Sequence, residues 1–243
     1  MSPTKITLVT GANKGLGLAT ARRLAELGHT VLLGSRDPEK GARAAGKLAG
    51  SGIIVHPVRL DVTDDSSVQA AAAHIDREYG RLDVLVNNAG MLIRKPATDV
   101  TGEDARPEFE TNVFGLIRVT HAMLPLLRKS PAARVVNVAS DSAMFSKTTE
   151  PGSMFARSHE SFVYSAAKAA VNMLTVKYAN AFLDDPTLAH IQVNSVTPGY
   201  TATDLNGFAG VRTVDEGARA SVYWATEGNG TGRFHNDEGP LPW

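Results

Sequence analysis

The 243-residue sequence predicts an α/β fold: one doubly wound parallel sheet of about seven strands, with helices on both faces. Three observations carry this reading. Short β-branched runs alternate with longer helical stretches along the whole chain. Several of those runs are apolar almost throughout, as parallel strands covered on both faces must be. A glycine-rich turn links the first run directly to the first helical stretch.

The elements follow in chain order. Ile6–Val9 opens the sheet and a helix is predicted over 15–27. Thr30–Leu33 is the second strand. Asp37-Pro38-Glu39 then starts a helix over 38–49, with an N-cap, a proline at the first helical position and an acidic first turn. Ile53–Val58 is the third strand, with a helix over 64–79. Asp83–Val86 is the fourth, and a long helix over 104–129 follows it, kinked or ended by Pro125. Arg134–Ala139 is the fifth. Residues 141–162 then lose all periodicity and carry Pro151, Gly152 and several Ser and Thr, so they read as a long excursion. A helix over 163–183 and the strand Ile191–Val196 come next. Thr213-Val214-Asp215-Glu216 has the form of a capping box for a helix over 213–225. A weak strand near Thr231–His235 completes the set. No repeat or flexible linker divides the chain, so a single domain over 1–243 is expected, with an irregular insertion at 141–162.

Composition excludes several classes. The 25 Lys+Arg balance 25 Asp+Glu, which argues against a broadly basic nucleic-acid face or a polybasic membrane surface. No apolar run approaches the roughly 18 residues of a membrane span. The absence of cysteine removes disulfides, thiolate nucleophiles and cysteine-ligated metal, and no metal site is expected. A strand starting at Ile6 leaves no room for a signal peptide, so a cytoplasmic location is expected.

The first strand runs into Thr10-Gly11-Ala12-Asn13-Lys14-Gly15-Leu16-Gly17. Glycines there permit a tight turn and close backbone approach to a pyrophosphate, which the free N–H groups and positive end of the next helix would hold. Three glycines alone also suit an ordinary turn; the place between first strand and first helix favours a dinucleotide. A second phosphate-like spacing, Gly41 to Lys47, lacks the closing Ser or Thr and lies in an Ala/Arg/Lys-rich helical stretch, so it reads as a solvated helix. NAD binding would place an acid about 20 residues beyond the glycines. Ser35-Arg36 stands there instead. The Arg36 fork suits a 2′-phosphate, Lys14 offers a second charge, and Asp37 is assigned to capping before Pro38. NADP(H) is therefore favoured over NAD(H), the other reading of Arg36 being an exposed surface arginine.

Tyr164 and Lys168 share a helix face four residues apart, beside a separate apolar stripe of Ala167, Val171, Leu174, Tyr178 and Phe182. Alone, such a pair is commonplace. Here it joins the Thr10–Gly17 turn, Asp61-Val62, Asn87-Asn88-Ala89-Gly90, Asn112, Ser140, and Pro198-Gly199 with Thr203, all in one order. Together they resemble the short-chain dehydrogenase/reductase family over nearly the whole chain, and the TGANKGLG turn resembles its carbonyl-reductase branch. The resemblance implies a Rossmann-type sheet and an NADPH-dependent oxidoreductase acting on a small-molecule carbonyl or alcohol. Tyr164 would be general acid/base, with a phenol pKa lowered by the Lys168 ammonium. Ser140 would bond the substrate oxygen. Asn112 would hold a water leading from Lys168 to solvent; its other reading is a helix-interior Asn bonding backbone. Gly11, Asn13, Lys14, Gly15, Leu16, Gly17 and Arg36 would bind the phosphates. Asp61 and Val62 would meet the adenine. Asn87, Ala89 and Gly90 would line the adenosine-ribose side. Pro198, Gly199, Thr201 and Thr203 would meet the nicotinamide end, where Lys168 would bond the ribose hydroxyls and Tyr164 would also touch the cofactor. The 24 positions from Ser140 to Tyr164 exceed the spacing of compact family members, so 141–162 is either a lid or wall of the substrate pocket or a surface loop pinned by Met144, Phe145, Met154 and Phe155. The insertion is shorter than that of the carbonyl-reductase branch, leaving homo-oligomer and monomer both open. A non-catalytic NADP(H)-binding sensor on the same fold is the alternative function.

Overall fold

A computed structural model describes residues 4–156 and 158–243. Seven strands form one sheet in the order β3-β2-β1-β4-β5-β6-β7. They are β1 (Ile6–Val9), β2 (Thr30–Ser35), β3 (His56–Arg59), β4 (Val84–Asn87), β5 (Arg134–Val138), β6 (Gln192–Val196) and β7 (Phe234–His235). Every neighbouring pair is parallel. The chain starts at β1, runs outward to β3, then returns to place β4 on the other side of β1. That reversal opens a crevice at the carboxyl ends of β1 and β4, where open α/β sheets bind ligands.

The two-residue alternation explains why the strands read as continuous apolar runs. Leu8, Leu32 and Leu85 face one core with Ile75, Met123, Leu127 and Phe182. Val9, Leu33, Val84 and Val86 face a second core with Leu24, Val136 and Trp224. Helices α3 (Asp65–Tyr79), α5 (Gly115–Arg128) and α7 (Phe162–Asp184) cover the first face. Helices α1 (Gly15–Glu26), α2 (Pro38–Ala49) and α8 (Val214–Thr226) cover the second. The Asp37 and Thr213 caps form as expected: Asp37 accepts from Glu39 N and Lys40 N, and Thr213 and Glu216 make a reciprocal box.

Three elements differ from expectation. The third strand lies at 56–59 rather than 53–58, and Ile54 is exposed. It is an edge strand paired only with β2, and the free edge tolerates Pro57. The single helix expected over 104–129 is three pieces: α4 (Gly102–Phe109), a π-helical turn at Glu110–Phe114, and α5. Pro125 does not end it, since α5 continues to Arg128. The irregular region holds a 3-10 turn at Asp141–Ala143 and the short α6 (Phe145–Thr149). No helix among the described residues is long and apolar enough to cross a membrane.

Candidate active site

The glycine turn is shaped by close approach. Gly11 and Gly15 adopt φ +61° and +55°, in the left-handed region that favours glycine. A Cβ on Gly17 would lie 2.4 Å from Asn88 Nδ2 and 2.6 Å from the Gly11 carbonyl oxygen. Asn88 holds the turn to the end of β4: its Nδ2 donates to Thr10 O at 2.9 Å, and Asn88 N donates to Thr10 Oγ1 at 3.0 Å. The first turn of α1 carries no acidic residue, so its positive end faces the crevice uncompensated. The left-handed glycines and the free N–H groups of the α1 N-terminus suit a pyrophosphate.

A cleft of about 640 Å³ starts at this turn and takes in nearly every predicted residue. Gly11, Asn13, Lys14, Gly15, Leu16, Gly17, Arg36, Asp61, Val62, Ala89, Gly90, Ser140, Tyr164, Lys168, Pro198, Gly199, Thr201 and Thr203 all line it. Arg36 has no ion partner among the described residues. Asp37 is spent on the α2 cap, which holds its carboxyl below the usual range, chiefly through the Lys40 backbone N–H. Lys14 is not a free charge: its Nζ lies 3.4 Å from Asp204. Asp61 Oδ1 accepts from Thr63 N and Oγ1 at 3.0 and 2.7 Å, which fixes the loop after β3. Thr201 Oγ1 donates to Pro198 O at 3.0 Å, so that side chain braces the turn from within.

Two predicted residues lie elsewhere. Asn87 does not line the main cleft; it sits inside the sheet end, with Nδ2 donating to Asn137 Oδ1 at 2.9 Å and Thr120 Oγ1 at 3.1 Å. Its β4 register points it inward, and the next residue, Asn88, takes the cleft position. Asn112, in the π-turn, spends its amide on Met91, accepting from Met91 N and donating to Met91 O, both at 2.9 Å. Asn112, Asn87, Thr10 and Lys168 together line a small inner cavity of about 10 Å³, close to the room one water needs.

Tyr164 and Lys168 stand on the first two turns of α7, facing Ser140 at the end of β5. Lys168 is almost wholly buried; its Nζ donates to Val138 O at 2.7 Å and lies 5.6 Å from the Tyr164 ring centroid. The Tyr164 surroundings act against the expected fall in its pKa. Burial pushes the phenol up to about 12, with the Ser140 hydroxyl pulling it partly back and Glu108 raising it further. Burial pushes Lys168 down to about 8, with Glu108 opposing. Desolvation penalises the charged form of both groups, and the Lys168 ammonium is directed at a carbonyl and the ring face. The pair is thus set as a neutral phenol beside a cation.

Of Met144, Phe145, Met154 and Phe155 in the insertion, Met144 alone is buried in a core cluster, and Phe145 and Met154 are exposed. Met144 is buried among Leu116, Ala139, Val171 and Phe234, pinning the segment to the core. Met154 and Phe155 line the cleft, while Phe145 points to solvent. Sequence reasoning missed the opposite wall, Met91, Leu92 and Arg94 after β4, because a loop without period offers no signal. It also missed Asn88 as the staple of the turn, and the buried Glu108.

Known proteins are similar to this chain in sequence and in fold. A profile of the short chain dehydrogenase family matches residues 5–210. The short-chain dehydrogenase anuI of Penicillium roqueforti is 36% identical, covering 97% of this chain and 95% of the relative. Carbonyl reductase (NADPH) 1 of Mus musculus is 30% identical, covering 98% of each. Among solved structures, NADPH-bound carbonyl reductase from chicken fatty liver superposes with TM-score 0.87 at 27% identity, covering 99% of each chain. Fold, cleft and sequence agree: this chain belongs to the short-chain dehydrogenase/reductase family, on the side of its carbonyl reductases.

Proposed function

We propose that the chain, as one catalytic unit, reduces a small-molecule carbonyl with NADPH, or runs the reverse alcohol oxidation. The observation that carries this reading is the meeting of Ser140, Tyr164 and Lys168 in one cleft with the glycine turn and Arg36, which has no ion partner among the described residues. The NADPH-dependent relatives support the cofactor choice. When bound, NADPH supplies the hydride. Arg36 takes the 2′-phosphate, and the α1 N-terminus takes the pyrophosphate. Ser140 donates a hydrogen bond to the carbonyl oxygen, where negative charge develops. The Tyr164 phenol, held protonated by burial, gives that oxygen its proton. Lys168 offsets the negative charge left on the phenolate, and the inner cavity beside Asn112 holds the water through which the proton is replaced.

Purified protein with NADPH and a panel of aldehydes, ketones and quinones should consume reduced nicotinamide. Tyr164→Phe should lower kcat at least about 100-fold, the scale of one acid–base group, while NADPH affinity stays near wild type. An undiminished rate in that variant would remove tyrosine from the acid role.

A further inference from the structure

Ser142 has no part in the reading above, yet it lines the same cleft as Ser140 and meets it twice. Its N–H donates to Ser140 Oγ at 3.2 Å, and the two hydroxyl oxygens lie 3.0 Å apart. Both contacts come from local structure. Ser140 leaves β5 with extended backbone and caps the 3-10 turn Asp141–Ala143, which folds Ser142 back onto it. The turn is fixed from several sides. Ala143 N donates to Ser140 O at 3.1 Å, Lys147 Nζ lies 3.0 Å from the Asp141 carboxylate, and Met144 is buried just beyond. The turn also packs on α7, the helix of Tyr164 and Lys168.

A serine hydroxyl has one hydrogen to donate and two lone pairs that accept. At Ser140 one lone pair takes the Ser142 N–H. The contact between the hydroxyls can run either way, and its direction decides what Ser140 has left for a substrate. If Ser140 donated, its only hydrogen would be turned away from the cleft and into the turn. The Ser142 hydrogen would then have no acceptor among the described residues, although Ser142 is only 6% exposed. A buried hydroxyl hydrogen without an acceptor is unfavourable. If Ser142 donates, its hydrogen is satisfied. Ser140 then accepts twice from one neighbour, and its single hydrogen is left to face the cleft. A hydroxyl that accepts a hydrogen bond also donates a stronger one.

We propose that Ser142 is a positioning residue of the active centre: its hydroxyl donates to Ser140 and so fixes Ser140 as a donor toward the substrate oxygen. The inference rests on the role given to Ser140 above. Ser142 acts only through Ser140, and no covalent bond is made or broken by either. Without Ser142 Oγ the Ser140 hydrogen divides between the cleft and the turn. With it, the negative charge that develops on the carbonyl oxygen meets a donor already aimed at it.

The test is a double-mutant cycle in the full chain, with NADPH and a carbonyl that the wild type reduces. Ser140→Ala should lower kcat about 100-fold, the scale of one donor lost from a developing oxyanion. Ser142→Ala should lower kcat about fivefold, the net worth of one hydrogen bond, and leave the KM for NADPH in place. In the Ser140→Ala background the same change should cost less than about twofold, because the group it acts through is gone. Ser142→Thr, which keeps the hydroxyl, should recover most of the loss. An unchanged kcat in Ser142→Ala overturns the proposal. So does an equal loss in both backgrounds, the mark of a Ser142 that only packs the turn or touches substrate itself. A second measurement needs no turnover and serves if Ser142→Ala does not fold. Neutron diffraction from deuterated crystals of the full chain should place the Ser142 hydroxyl deuterium on the line to Ser140 Oγ and the Ser140 deuterium toward the cleft. The reverse order overturns the proposal. If the panel of carbonyls is inert while the deuterium lies as expected, the reductase reading fails and the order of the hydroxyls stands.

Discussion

On the proposed reading, Arg36 is the side chain that separates the two cofactors. It lines the cleft at the end of β2 and has no ion partner among the described residues, whereas the neighbouring Asp37 is consumed by the α2 cap. A guanidinium meeting a phosphate makes charge-assisted, bidentate hydrogen bonds. Loss of such contacts costs about 2–3 kcal/mol, on the order of 100-fold in Kd. Arg36→Asp should therefore weaken NADPH by about that factor and leave NADH within a few-fold, read by fluorescence titration of each cofactor. Lys14 should matter less, because its exposed pairing with Asp204 already screens it. Equal weakening of both cofactors would mean that Arg36 does not touch the 2′-phosphate.

The glycine turn shows how an element carries a site. Gly17 admits no Cβ: the nearest atoms would be Asn88 Nδ2 and the Gly11 carbonyl, and a backbone oxygen cannot step aside as a flexible side chain can. Gly17→Ala should shift the turn against β4, at the roughly 1–3 kcal/mol of an overpacked site. A lowered Tm and an NADPH Kd raised at least about tenfold are expected together; a normal Tm with normal affinity would show that the turn has room. This element was legible in the sequence because its constraint is local: glycines between a strand and a helix need no distant partner to be recognised. The strand cores at Leu8/Val9 and Leu32/Leu33 were legible for a similar reason, since burial on both faces leaves no polar alternation. What escaped the sequence depends on contacts far along the chain. Asn87 and Asn88 differ only in which face β4 turns to the cleft, a matter of register with β1 and β5. The π-turn around Asn112 leaves no mark in the helical period, yet it aims that amide at Met91. Glu108 stands in sequence among Glu103, Asp104, Arg106 and Glu110, and nothing in that charged stretch marks it as the buried one.

Across the whole molecule, a half-buried His29 and a buried Glu108 pull the pH dependence of stability in opposite directions. His29, entering β2 and 2.7 Å from Thr7 Oγ1, is pushed down to about 4 by burial, with Lys5 adding to the fall. Its unfolded form binds a proton from about pH 6.5 downward, so it contributes stability that is lost as pH falls from about 6.5 to 4. Glu108, raised to about 7 from 4.5, has the opposite sign: the folded chain binds the extra proton, and stability is lost as pH rises from 4.5 to about 7. Each is worth on the order of 3 kcal/mol across its window. The cap and ion-paired carboxylates with depressed pKa, such as Asp37, Asp64 and Asp237, act below this range. Between about pH 4.5 and 6.5 the two contributions therefore nearly cancel, and urea unfolding of the wild type should give an almost flat stability. The variants should break the balance in opposite senses. His29→Asn should become less stable as pH rises through that window, and Glu108→Gln should become more stable. Parallel curves for the wild type and both variants would mean that these two groups are not the ones titrating. Opposite slopes would show that a flat profile conceals two titrating groups of opposite sign, His29 and Glu108.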